Sequence, residues 1–199
     1  MTKTVDYFMT PASPWTYLGH DRFVAVAKRH GATIRVLPID LAKVFPVSGG
    51  LPLAKRAPQR QAYRLVELRR WREFLGMPLN VQPKFGASPV DIASKWILAA
   101  REAGETAALE LAGALLRARW SEERDIADAA TLAGIAAACG QDARGIAARA
   151  GSAEIAAAYD ACTQQAIDRQ VFGTPTYIYR DEPFWGQDRL DFLDRALAQ

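Results

Sequence analysis

The chain has 199 residues, of which 50% are hydrophobic and 24% are charged, and its net charge is +3. This composition is ordinary for a globular protein, and no repeat or low-complexity tail interrupts it. No stretch approaches the ~20 apolar residues of a membrane span, and the first residues lack the apolar core of a signal peptide, so we expect a cytoplasmic protein.

A β-α-β unit is predicted at the start of the chain. The sequence from Val5 to Met9 indicates a short strand, Pro14 to His30 a helix, and Thr33 to Ile39 a second strand. Ser13 suits the N-cap of this helix, with Pro14 as its first residue, and Gly31 suits its end. Two strands joined through a helix are expected to pair in parallel.

The middle of the chain predicts helices and no convincing strand between about Ala57 and Gln170. Leu68, Trp71 and Leu75 form the apolar stripe of the first of these helices. The helices predicted after it are Asp91 to Ala103, Thr106 to Trp120, Ala129 to Cys139, Asp142 to Ala150, and one from Ser152 to about Gln170. Because strand signals resume afterwards, we interpret residues 41–170 as a helical insertion domain.

The last part of the chain predicts a hairpin and a helix. Thr176 to Arg180 and Pro183 to Trp185 indicate two strands, and Gln187 to Ala198 is an amphipathic helix. The order β-α-β, helical insertion, β-β-α predicts an α/β protein with a thioredoxin-like fold. Its thioredoxin-like domain would consist of residues 1–40 and 171–199.

Several residue types argue against other classes of protein. Cys139 and Cys162 form no C-x-x-C pair and lie in phase with apolar residues, so we expect two buried, unpaired thiols. Neither His20 nor His30 has another potential metal ligand at the sequence spacing that metal sites typically use, which argues against a metal site. The basic stretch from Lys55 to Arg72 follows a helical pattern, so a solvated helix face is favoured over a nucleic-acid surface.

Three local motifs carry chemistry, although each also has an ordinary structural interpretation. Ser13 at a helix N-terminus can stabilise a thiolate, or simply cap the helix. Thr174 before Pro175 suggests a cis bond whose backbone can pair with a peptide, or a plain strand entry. Asp188 offers a carboxylate to an ammonium group, or caps a helix. In a thioredoxin-like topology all three lie at one end of the sheet, and thiol, peptide and free amine together describe glutathione.

The chain resembles the 2-hydroxychromene-2-carboxylate isomerase family, which is related to the kappa-class glutathione transferases. Four segments, spread over nearly the whole chain in the family's order, carry this resemblance. They are Ser13 to Gly19 (SPWTYLG), Phe172 to Thr176 (FGTPT), Phe184 to Leu190 (FWGQDRL) and, more weakly, Trp120 to Ile126 (WSEERDI).

The resemblance implies a glutathione site. Ser13 matches the catalytic serine, which hydrogen-bonds the glutathione sulfur. Thr174, before the cis-proline at Pro175, matches the residue whose backbone pairs with the cysteinyl unit. Gln187 and Asp188 match the pair that holds the γ-glutamyl end.

The resemblance also implies a substrate and a reaction. The family interconverts 2-hydroxychromene-2-carboxylate and trans-o-hydroxybenzylidenepyruvate with glutathione as cofactor, so the expected ligand is a small aromatic carboxylate. Arg60 falls nearest to the family's basic position, and Lys55 is an alternative partner for the carboxylate. Trp15 and Tyr17 are candidate pocket walls, with core packing as the alternative for each. Relatives are often dimers, so a homodimer is expected, with no nucleic-acid or membrane partner.

Two other functions stay open at this point. A kappa-like transferase would conjugate glutathione to electrophiles and release the adduct. A non-catalytic thioredoxin-fold binding module would keep the fold without binding glutathione. A disulfide oxidoreductase is disfavoured, because Ser13 and Thr16 stand where redox cysteines would be needed.

Overall fold

The centre of the molecule is a four-stranded mixed sheet, seen in a computed structural model that describes residues 3–199. The strands are β1 (Thr4–Met9), β2 (Thr33–Pro38), β3 (Thr176–Tyr179) and β4 (Glu182–Trp185), in the order β2-β1-β3-β4. Strand β1 runs parallel to β2 and antiparallel to β3, and β3 runs antiparallel to β4. The predicted parallel pair and hairpin, and with them the predicted fold class, are confirmed.

Helices surround this sheet. They are α1 (Pro14–Arg29), α2 (Leu41–Ser48), α3 (Pro58–Leu75), α4 (Asp91–Ala100), α5 (Glu105–Trp120), α6 (Ala129–Ala138), α7 (Ala143–Ala150), α8 (Ala153–Asp168) and α9 (Leu190–Leu197). Within residues 3–199, none of these helices has the length and apolar character needed to cross a membrane.

Most of the predicted boundaries agree with the structure to within a few residues, and two differences stand out. Helix α2 was not predicted, because Pro46 interrupts its pattern and Gly49 follows it directly. The last predicted helix begins instead with a 3₁₀ turn over Gln187–Arg189, before α9. Gly186, at φ 106°, precedes this turn in a conformation that residues with a Cβ rarely adopt.

A continuous hydrophobic core joins the sheet to the helices. Strand β1 is at its centre, with Tyr7, Phe8 and Met9 fully buried, and helices α4, α5 and α8 pack against β2. The core includes residues from all three parts of the chain, 1–40, 41–170 and 171–199. The division into a thioredoxin-like domain and a helical insertion domain stays a prediction.

The cysteines and histidines have separate surroundings. Cys162 on α8 is buried and Cys139, just after α6, is half-buried; both are free thiols, and burial raises the pKa of each. His20 is buried beside the hydroxyl of Tyr7, with its Nδ1 3.2 Å from that oxygen. His30 ends α1, and its Nε2 lies 2.6 Å from Oδ1 of Asp194.

Candidate active site

Ser13 joins the start of α1 to the loop before β3. As the N-cap of α1, its Oγ accepts a hydrogen bond from the backbone N–H of Thr16 at 3.1 Å. The same hydroxyl donates to the carbonyl oxygen of Thr174 at 3.0 Å. The predicted N-cap is therefore confirmed, and the first and second of the three motifs are in direct contact.

Thr174 presents unpaired polar groups at this contact. The Thr174–Pro175 bond is cis, which is the geometry that the motif suggests. Within residues 3–199, the backbone N–H of Thr174 has no acceptor, and its buried Oγ1 has no hydrogen-bond partner. Buried polar groups without partners are uncommon in folded proteins. This backbone edge therefore fits an extended peptide-like ligand that both accepts and donates hydrogen bonds.

The turn that contains Gln187 and Asp188 is fixed from two sides. The backbone N–H of Gly186 donates to the carbonyl of Pro175 at 2.9 Å, which joins the second motif to the third. Gln187 is buried, and its Oε1 accepts a hydrogen bond from Nη1 of Arg22 at 2.6 Å. With Oε1 occupied, the side-chain amide N–H groups of Gln187 remain as donors.

Asp188 does not cap a helix. Its exposed carboxylate lies 2.8 Å from Nη1 of Arg189, and the 3₁₀ turn has no side-chain cap. An exposed pair of this kind contributes little to stability. The carboxylate of Asp188 therefore remains accessible to a ligand cation, with Arg189 beside it for a ligand anion.

A pocket of about 270 Å³ brings several of the sequence-predicted residues together. The three motifs and strand β4 contribute seven of the residues that line it: Trp15, Thr174, Trp185, Gly186, Gln187, Asp188 and Arg189. Helix α3 adds Glu67 and Trp71, which sequence reasoning did not assign to a site. We call this cavity the polar pocket, because carboxylate, amide and guanidinium groups are among those that line it.

A second pocket, of about 390 Å³, adjoins the first. Ser13 lines it together with aromatic residues and two arginines, and we call it the aromatic pocket. Its principal side chains are Ser13, Trp15, Phe45, Arg56, Arg64, Trp120, Phe172, Thr174 and Trp185. Trp15, Thr174 and Trp185 line both pockets, so Thr174 lies where the two meet. Ser13, hydrogen-bonded to the carbonyl of Thr174, lines the aromatic pocket beside this boundary.

The walls of the aromatic pocket are held by specific contacts. The indole N–H of Trp120 donates to the carbonyl of Pro11 at 3.0 Å, which fixes this ring beside the turn before Ser13. The rings of Phe172 and Trp185 meet edge to face, with centroids 4.6 Å apart. The pocket is therefore suited to a flat aromatic ligand.

The basic residues named from the sequence do not line these pockets. Lys55 and Arg60 are both exposed, the first at the end of a 3₁₀ turn and the second in the first turn of α3. Arg56 and Arg64 line the aromatic pocket instead. The sequence contained a signal for Arg64, since it lies one helical turn before Leu68 on the stripe that faces the core.

The two candidate pocket walls differ. Trp15 lines both pockets. Tyr17 lines neither of them; it is buried, and its hydroxyl donates to the carbonyl of Pro78 at 2.7 Å. The structure therefore places Tyr17 in the core, which is the alternative that the sequence left open.

The chain is similar over its whole length to known proteins. The family model of the DSBA-like thioredoxin domain matches residues 4–198. A 2-hydroxychromene-2-carboxylate isomerase from Sphingobium xenophagum is 31% identical, with 99% of each chain covered. One from Pseudomonas putida is 29% identical, covering 98% of this chain and 94% of that protein. A solved 2-hydroxychromene-2-carboxylate isomerase structure superposes with a TM-score of 0.86 at 29% identity, covering 98% of this chain and 94% of that one.

Proposed function

We propose a glutathione-dependent isomerisation for this chain, which belongs to the DSBA-like thioredoxin domain family and to the family of the 2-hydroxychromene-2-carboxylate isomerases. The proposed reaction interconverts 2-hydroxychromene-2-carboxylate and trans-o-hydroxybenzylidenepyruvate or a close aromatic analogue. The names of the relatives support an isomerase. The observation that carries the proposal is the meeting of a polar and an aromatic pocket at Thr174, whose carbonyl accepts the hydrogen bond of Ser13.

The polar groups of the site fit glutathione. The N–H and carbonyl of Thr174 would pair with the cysteinyl unit, as a strand edge pairs with a peptide. Asp188 would bind the α-ammonium group of the γ-glutamyl end, and the free amide N–H groups of Gln187 would bind its carboxylate.

Ser13 would exchange its hydrogen-bond acceptor when glutathione binds. Its hydroxyl now donates to the carbonyl of Thr174, and the same proton can turn to a sulfur in the pocket. The carbonyl of Thr174 would then accept a hydrogen bond from the ligand's amide instead. The positive end of the α1 dipole and the hydroxyl of Ser13 would together lower the pKa of the bound thiol.

Opening of the cyclic hemiketal would break the ring C–O bond and move the hydroxyl proton to the phenol oxygen, which leaves a conjugated enone. Bound glutathione would then supply a thiolate whose addition to the enone C=C shifts one electron pair to the keto oxygen and frees rotation. Elimination would reverse the addition and return the thiolate. The protein would contribute by orienting both partners at Ser13, between the walls of the aromatic pocket. No electrons are lost or gained overall, which agrees with serine and threonine at positions 13 and 16.

The proposal is tested by the rate of 2-hydroxychromene-2-carboxylate isomerisation with glutathione, with S-methylglutathione and with neither. The expected result is turnover with glutathione only, and an unchanged free-thiol titre at the end. A falling thiol titre would indicate a kappa-like transferase. If the protein shows no turnover and binds neither glutathione nor the aromatic substrate, the result would indicate a non-catalytic binding module.

A further inference from the structure

Two arginines, Arg56 and Arg64, line the aromatic pocket, and neither has an acidic partner among residues 3–199. Nε of Arg56 donates to the carbonyl of Leu51 at 2.8 Å, and its guanidinium lies 6.0 Å from the centre of the Phe45 ring. Arg64 makes no hydrogen bond to any other described residue of the chain. Arg35, by contrast, makes a bidentate contact with the carboxylate of Asp6 at 2.7 Å. The pocket arginines thus retain free donors.

The surroundings of Arg64 make an unpaired cation costly. Arg64 is half-buried, and its burial, together with the nearby charge of Arg56, lowers the pKa of its guanidinium. Two partly desolvated cations that line one cavity repel each other, and an anion between them removes that repulsion. The free donors and the repulsion both favour a bound anion.

Arg64 also differs from an arginine with a purely structural role. Arg119 is buried nearby, but its Nη1 and Nη2 donate to the carbonyls of Ser88 and Gly86 at 3.2 and 2.7 Å. Those bonds fix the loop beside the pocket. Arg64 has no comparable bond, so its side chain is free to bind a ligand.

We propose that Arg56 and Arg64 together form the receptor for the α-keto-carboxylate end of the aromatic substrate, an inference that rests on the proposed function. Guanidinium groups bind carboxylates through two parallel hydrogen bonds, and two of them can share a carboxylate and the neighbouring keto oxygen. The keto oxygen is the atom that gains negative charge during the reaction. Ser13 lines the same pocket, so the C=C of a substrate anchored in this way would face a thiolate held at Ser13.

The test compares two probes that share the ring, the alkene and the ketone. Benzylidenepyruvate carries the carboxylate and benzylideneacetone has a methyl group in its place. Both are titrated without glutathione, with quenching of tryptophan fluorescence as the readout, since Trp15, Trp120 and Trp185 line the pocket. We expect the native protein to bind benzylidenepyruvate at least ~10-fold more tightly than benzylideneacetone. Either substitution, Arg56→Gln or Arg64→Gln, should remove this preference.

Arg69→Gln is the matched control, since Arg69 is exposed on the same helix and lines none of these pockets. Circular dichroism checks that each variant is folded, and the two single variants test the pair independently. Equal binding of the two probes by native protein and variants overturns the proposal. So does a preference that is lost in Lys55→Gln or Arg60→Gln but kept in the pocket variants.

The carboxylate receptor and the isomerisation reaction can each be wrong without the other. If the carboxylate preference depends on Arg56 and Arg64 but no isomerisation occurs, the receptor stands and the proposed reaction is wrong. If isomerisation occurs with unchanged kcat/KM in both variants, the reaction stands and the receptor is wrong.

Discussion

We propose that Ser13 combines a structural and a chemical role in one hydroxyl. Its oxygen caps α1 through the N–H of Thr16, and its proton goes to the carbonyl of Thr174. A serine in the place of a redox cysteine leaves the helix N-terminus without a thiolate of its own. The positive end of the helix is then available to a thiolate from a ligand.

Ser13→Ala should keep the fold and reduce turnover at least ~10-fold. The lost charge-assisted hydrogen bond is worth roughly 1.5–3 kcal/mol, and the lost N-cap should lower the free energy of unfolding by ~1 kcal/mol. Steady-state kinetics and urea unfolding measure the two effects.

Ser152→Ala is the matched control for this substitution. Ser152 caps α8 in the same way, with its Oγ 3.2 Å from the N–H of Ile155, and lines neither pocket. It should lose similar stability and keep full activity. Equal turnover in the two variants would remove Ser13 from the chemistry.

At the scale of elements, the close approach of α1 to the Gln187–Arg189 turn holds the polar pocket in shape. Gly19 permits this approach, since a Cβ there would lie 2.8 Å from Cβ of Gln187 and 2.9 Å from the hydroxyl of Tyr177. Arg22, one turn further along α1, holds the side chain and the carbonyl of Gln187.

Gly19→Ala should therefore separate α1 from this turn. We expect a loss of ~1–3 kcal/mol in the free energy of unfolding and weaker binding of glutathione, measured by urea unfolding and titration calorimetry. Gly134→Ala on α6 is the control, because the nearest atom to its Cβ would be 3.7 Å away. That change should be neutral or stabilising by up to ~1 kcal/mol. Unaltered stability and affinity in Gly19→Ala would show that the turn is not held by this contact.

At the scale of the whole molecule, a buried histidine makes stability depend on pH. His20 is buried between β1, α1 and α5, and its ring faces the hydroxyl of Tyr7. Burial lowers the pKa of His20 to about 4, although the nearby negative charge of Asp21 acts to raise it. An unfolded histidine titrates near 6.5. Between these two values the unfolded chain binds more protons than the folded one, so acid favours unfolding.

The free energy of unfolding should thus be highest above pH ~6.5 and should fall by up to ~3 kcal/mol as the pH approaches 4. Urea unfolding across this range measures the slope, and His20→Gln should flatten it. An identical slope in His20→Gln would assign the acid sensitivity to other groups.

The fold was accessible from the sequence because its signals are local. Strand patterns, the Ser13 cap and the glycine stops each depend on neighbouring residues, and the element order then leaves few topologies. Helix α2 was missed because Pro46 weakens a local pattern. The motifs at Ser13, Thr174 and Asp188 are visible in the sequence because each lies in a short segment that leads into a strand or a helix.

The basic residues that line the aromatic pocket could not be predicted in the same way. Which basic residue of the α3 region enters the pocket depends on how α3 packs against the rest of the chain, and this is a tertiary property. The sequence pointed to Lys55 and Arg60, whereas Arg56 and Arg64 line the cavity. Glu67 and Trp71 reach the polar pocket through the same packing.

We propose above all that this site stabilises a thiolate that belongs to its ligand. The most direct measurement is the pKa of the thiol of protein-bound glutathione, from the ultraviolet absorbance of the thiolate against pH, with S-methylglutathione as the blank. We predict a value at least one unit below the ~8.5 of an ordinary cysteine thiol, and a return towards ~8.5 in Ser13→Ala. A bound thiol that titrates at or above ~8.5, or glutathione that does not bind, would contradict the claim.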